Sequence, residues 1–124
     1  MKFKVIIIML FMLTIACKQD VKGVVNVSVS DMKTEMTEGE IQLLDVRTPE
    51  EWSNGVIKGA EKINFYDDNF EATVANKIDM NKPVYVYCKS GGRSLQASEL
   101  LVKKGYKVYN MLGGYDQWKE KYEE

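Results

Sequence analysis

The residues with the most chemistry to offer form one run, Cys88-Lys89-Ser90-Gly91-Gly92-Arg93-Ser94. It follows the charge-free stretch Pro83 to Tyr87 (PVYVY), which reads as a central strand, and leads into Arg93 to Lys104, which reads as a helix. Paired glycines between a buried strand and a helix let successive backbone amides turn inward around one point, so the loop is expected to form an anion cradle. The helix beginning at Arg93 adds its positive N-terminal end, and Lys89 and Arg93 add full charges. A thiolate at Cys88 is then favoured without any general base. The same groups, from Lys89 and Ser90 through Gly91, Gly92 and Arg93 to Ser94, are expected to hold an anionic donor such as thiosulfate.

Each of these residues also has a plainer reading. An isolated buried cysteine is ordinarily inert, and it is the loop around Cys88 that reverses that expectation. Lys89 and Arg93 are equally at home as solvated surface charge, with Arg93 the stronger candidate because it heads the helix. Ser90 and Ser94 serve as well as helix caps as they do as substrate contacts.

Composition narrows the chemistry further. The chain has no histidine, which excludes a Cys-His dyad, a Ser-His-Asp triad and the usual imidazole metal sites. No metal and no cofactor is expected. Its 17 basic and 18 acidic residues nearly balance, which gives no electrostatic reason to expect a nucleic-acid partner. At 124 residues, 45% hydrophobic and 28% charged, the chain fits one globular domain. Cys17 and Cys88 could in principle pair, but Cys17 falls in a segment with a different destiny.

That segment is the amino terminus. Lys2 and Lys4 make a short basic region, Val5 to Ile15 is apolar and uncharged, and Ala16-Cys17 precedes the polar Lys18-Gln19-Asp20. This is signal-peptide architecture, with an apolar run short of the ~20 residues needed for a permanent span. The expected division is a signal peptide over 1–16, a tether over 17–24 and a domain over 25–124. Leu13-Thr14-Ile15-Ala16-Cys17 resembles a bacterial lipobox, although Thr14 stands where leucine is commonest. That resemblance implies lipidation of Cys17 and a membrane-anchored protein in the bacterial cell envelope, on the periplasmic or outer side. Cleavage by an ordinary signal peptidase is the alternative.

Beyond the tether, strands and helices alternate. Val24 to Val29 is β-rich, and Ser30-Asp31 offers an N-cap for a short helix over Met32 to Met36. Ile41 to Val46 reads as a buried strand, Thr48-Pro49-Glu50-Glu51 as a helix start, and Gly59 to Ile63 as a further short strand. A helix is expected over Asp67 to Ile78, a strand over Tyr106 to Met111, and a last helix over Tyr115 to Tyr122 with Trp118 as a core anchor. The pattern predicts an α/β fold, an open and mainly parallel sheet with helices on both faces. Ligand sites in such folds lie beyond the carboxyl ends of the strands, where Cys88 is expected.

From Val27 to Tyr122 the chain resembles a single-domain rhodanese. Leu44 to Trp52 (LDVRTPEEW) with Gly55 to Ala60 (GVIKGA), the loop Cys88 to Ser94, and Leu112-Gly113-Gly114-Tyr115 with Trp118 carry the resemblance. Val56 stands where the family usually has histidine, and Asn64-Phe65 where proline is common. The resemblance implies a sulfurtransferase: Cys88 takes sulfur from a donor such as thiosulfate, holds it as a persulfide, and yields it to a thiol or cyanide. A small anionic donor, a thiol acceptor and a monomeric protein are then expected. Asp45 and Arg47, at the end of their strand, line the pocket or form an ion pair that fixes the neighbouring loop, the second being the preferred role. Two other functions compete. One is a non-catalytic rhodanese-like binding module at the membrane. The other is a cysteine-based phosphatase or arsenate reductase, disfavoured because such loops place five residues between cysteine and arginine and this one places four, Lys89 to Gly92.

Overall fold

The computed structural model describes residues 20–123. The expected signal segment 1–16 and Cys17 lie outside the described residues, so the structure speaks only to the end of the tether. Five strands and five helices alternate: β1 (Val24–Val27), α1 (Val29–Glu38), β2 (Gln42–Asp45), α2 (Pro49–Trp52), β3 (Glu61–Lys62), α3 (Phe70–Lys77), β4 (Val84–Tyr87), α4 (Gly92–Lys103), β5 (Val108–Met111) and α5 (Gly114–Tyr122). The strands form one sheet in the order β1-β5-β4-β2-β3, and every pairing is parallel. Among the described residues, no helix is long and apolar enough to cross a membrane.

The period-two alternation of β4 explains the two-sided core. Val84, Val86 and Cys88 face one way and pack with Val74 of α3 and with Ala97 and Leu101 of α4. Tyr85 and Tyr87 face the other way, with Met32 of α1 and with Tyr115 and Trp118 of α5. Both faces of β4 are therefore buried, which is why PVYVY carries no charge. Trp118 is a core anchor, as the sequence reading expects.

Helices α4 and α5 start one residue ahead of expectation, and two other helix starts differ by three residues. α1 begins at Val29 rather than Met32, because Ser28 and not Ser30 is the N-cap: the Ser28 hydroxyl accepts from the Asp31 amide, and the Asp31 carboxylate accepts from the Ser28 amide. α3 begins at Phe70 rather than Asp67, because Asn64 to Asn69 is taken up by turns, with the Asp67 amide donating to the Asn64 carbonyl and the Phe70 amide to the Asp67 carbonyl.

Candidate active site

Cys88 sits one residue past the end of β4, the central strand, and α4 starts four residues later at Gly92. Its side chain is almost enclosed, 1% exposed, because the loop closes around the sulfur. The Gly91 amide donates to Sγ at 3.1 Å, and the thiol in turn donates to Ser94 Oγ at 3.4 Å. The Ser94 hydroxyl donates back to the Gly91 carbonyl at 3.1 Å. Gly91 reaches this geometry with φ +125°, a region open to glycine and strained for other residues. The expected convergence of several amides is thus narrower here: among the described residues, Gly91 supplies the one backbone hydrogen bond to the sulfur. Neither serine caps α4. Its N-cap is Gly91, without a side-chain cap, so the N-terminal amides of α4 stay uncapped by side chains.

The loop is anchored from the other side by α5. The Tyr115 amide donates to the Cys88 carbonyl at 2.8 Å and the Asp116 amide to the Lys89 carbonyl at 3.0 Å, so the first turn of one helix holds the first two residues of the loop. Only glycine can stand at the approach. A Cβ at Gly114, which has φ +61°, would lie 2.4 Å from the Lys89 oxygen and 2.7 Å from the Cys88 oxygen. The Gly113-Gly114 pair is visible in the sequence, but its partner carbonyls are backbone atoms that no residue pattern announces.

The two loop cations are both met by carboxylates. Lys89 Nζ bonds both oxygens of Asp116, at 3.2 and 2.9 Å, in an exposed pair. Arg93 forks onto Glu51, Nη1 to Oε1 at 2.5 Å and Nη2 to Oε2 at 2.8 Å, with both side chains largely sheltered. The hydrogen bond from Arg93, followed by those from Thr48, outweighs burial and lowers the Glu51 carboxyl to about 2. The same hydrogen bond raises Arg93, whose charge also feels Cys88. Glu51 is thus a site residue that the sequence shows only as part of a helix start.

Asp45 and Arg47 lie in a separate buried network under the loop. Arg47 donates through Nε and Nη2 to Asp45 and through Nη2 to the Gly55 carbonyl at 2.8 Å, while Trp52 Nε1 donates to Asp45 at 3.1 Å. Burial alone would lower Arg47, but the Asp45 carboxylate offsets this and the net shift is upward. The guanidinium also lies 4.2 Å from the ring centre of Tyr115, the residue whose amide holds Cys88. Burial, followed by a hydrogen bond to Glu123, pushes the Tyr115 phenol up to about 12. This network fastens the loop after β2 to the start of α5. Beside the reactive loop, a cleft of ≈ 710 Å³ is lined by Ser90, Gly91, Gly92 and Leu112 together with Asp20 and Asn26, so the chain enters the fold next to its reactive end.

Comparison with known proteins finds one family and several relatives. The family described as Rhodanese-like domain matches residues 28–121. The Bacillus subtilis protein YqhL is 40% identical over 78 residues, spanning 62% of this chain and 60% of its own length. Thiosulfate sulfurtransferase 18 of Arabidopsis thaliana is 34% identical over 117 residues, 85% of each chain. Among solved structures, the human single-domain sulfurtransferase TSTD1 superposes with a TM-score of 0.65 at 29% identity, covering 77% of this chain and 96% of its own.

Proposed function

The chain belongs to the rhodanese-like domain family, and on that premise we propose that it is a sulfurtransferase in which Cys88 carries sulfane sulfur from a donor to a thiol or cyanide acceptor. The carrying observation is the enclosure of the Cys88 sulfur by its own loop, with the Gly91 amide donating to Sγ and the uncapped start of α4 beside it. An N–H bond of this kind is strongest to a sulfur anion, so it stabilises the attacking thiolate, while the uncapped amides at the start of α4 are free to receive the charge that a persulfide carries on its terminal sulfur. With thiosulfate as donor, the Cys88 thiolate attacks the outer sulfur. A new S–S bond forms at Cys88, the donor S–S bond breaks, and its electron pair leaves with sulfite. An acceptor thiolate or cyanide then attacks the carried sulfur and returns Cys88 to the thiolate. Because the departing group is already a stable anion, no strong general acid is needed, which suits a chain without histidine.

Intact mass tests this directly. Purified protein incubated with thiosulfate should gain one sulfur at Cys88 and lose it on addition of thiol, while Cys88→Ser gains none. Equal gain by the serine variant would overturn the assignment.

We also propose that the protein is anchored in the bacterial cell envelope through lipid on Cys17. The basic, apolar and Ala16-Cys17 segments support this reading. Only Lys18 and Gln19 lie between Cys17 and Asp20, a span of at most about 11 Å of extended chain, and Asp20 borders the cleft beside the reactive loop. The sulfur site would then work close to the lipid surface. Metabolic labelling with a fatty acid should mark the parent and not Cys17→Ser; equal labelling of the two would refute the anchor.

A further inference from the structure

On the sulfur-carrier reading, an anionic donor would be drawn in by Lys89 and Arg93, yet each of these charges already faces a carboxylate. The Lys89–Asp116 pair is 58% and 53% exposed, so solvent screens it and a donor can part it easily. The Arg93–Glu51 pair is different: it is forked, and its side chains are only 18% and 23% exposed. Glu51 is further pinned by the Thr48 hydroxyl, which donates to Oε1 at 3.1 Å as part of the capping box of α2. Glu51 cannot swing away from Arg93 without opening the start of its own helix. A donor entering the loop therefore meets a guanidinium whose charge is cancelled.

We propose that Glu51 is the specificity-determining residue of the loop: by holding Arg93 it keeps the mouth charge-neutral, and the site favours an organic persulfide, at most singly charged, over doubly charged thiosulfate. The transfer balances without an added oxidant. The Cys88 thiolate attacks the outer sulfur of R–S–S–H, an S–S bond forms at Cys88, and the donor S–S bond breaks. Its electron pair leaves as R–S⁻, and the proton stays on the transferred sulfur. An acceptor thiol then receives that sulfur as in the general scheme.

The test compares rates of sulfur loading at Cys88, read by intact mass, with thiosulfate and with the persulfide of 2-mercaptoethanol, whose carbon part bears no charge, as donors. Parent protein and Glu51→Gln are both measured across a range of salt. The glutamine variant removes one negative charge near the mouth, which should shift the rate ratio toward thiosulfate by about tenfold, a Coulomb effect of ordinary size at short range. Parent loading by thiosulfate should stay flat or rise with salt, since a neutral mouth offers no attraction to screen; a steep fall would mean that Arg93 meets the donor directly and would overturn the inference. The salt series needs only the parent, so it stands even if Glu51→Gln folds poorly. An unchanged donor ratio in a folded Glu51→Gln also refutes it, whereas failure of both donors to load Cys88 would remove the sulfur-carrier reading beneath it.

Discussion

Helices α1 and α2 close their own first turns with side chains, whereas α4 and α5 leave theirs to the reactive loop. In α1 the pair Ser28 and Asp31, and in α2 the pair Thr48 and Glu51, exchange hydrogen bonds within a capping box, and both boxes satisfy amides that would otherwise face solvent. α4 and α5 start on glycine with no side-chain cap. At these starts the Gly91 amide goes to the Cys88 sulfur, and the Tyr115 and Asp116 amides go to the Cys88 and Lys89 carbonyls. α3 stands apart from both kinds, since it emerges from a turn. Every helix begins with donors that its own ladder cannot use. This protein spends them on local stability where the helix only supports the fold, and on loop geometry where it borders the thiol. Glu51 belongs to both economies, because it caps α2 and also holds Arg93.

The sharpest way to break that contrast is Gly114→Ala. The new methyl would overlap two loop carbonyls at a positive φ, so the first turn of α5 must back away from Cys88 and Lys89. A stability loss of about 1–3 kcal/mol is expected from the overlap, with sulfur loading at Cys88 slowed about 100-fold by the misplaced loop. Denaturant midpoints and mass-resolved loading rates measure the two effects. Parent-like loading would mean that α5 does not position the thiol.

Ser28→Ala probes the opposite class. Losing the α1 cap should cost about 1 kcal/mol, seen as a lower denaturant midpoint, while the loading rate at Cys88 stays as in the parent. A slowed rate would erase the distinction between the two kinds of helix start.

Glu51 adds a pH dependence. Its carboxyl is depressed from 4.5 to about 2 in the fold, so the ionised form is the stabilised one. The contribution is complete above the ordinary carboxylate value and disappears as the pH falls from about 4.5 toward about 2. Acid unfolding of the parent and of Glu51→Gln should therefore converge across that window; a gap of constant size would leave the pair with no share in stability.

Much of this architecture is legible along the chain. The alternation of apolar runs with helix starts predicts a parallel sheet, and the charge-free Pro83 to Tyr87 marks the central strand that delivers Cys88. The helix boundaries were harder to read. Ser28 continues a β-rich run, and only its reciprocal bonds with Asp31 mark it as a cap. The fate of the loop cations was not readable at all, because Glu51 lies 42 residues from Arg93 and Asp116 lies 27 from Lys89. Local pattern shows which charges exist, and the fold alone decides which of them are cancelled. The docking of α5 onto the loop is hidden for another reason: it joins backbone to backbone, and only the glycine that permits the approach leaves a trace in the residue types.

Because α5 grips residue 88 by its carbonyl oxygen, the fastening is indifferent to the side chain that residue carries. A lineage could therefore trade the thiol for a hydroxyl by drift and inherit an intact shell with no chemistry inside. Silent descendants of such a protein would look, in outline, like their working ancestor.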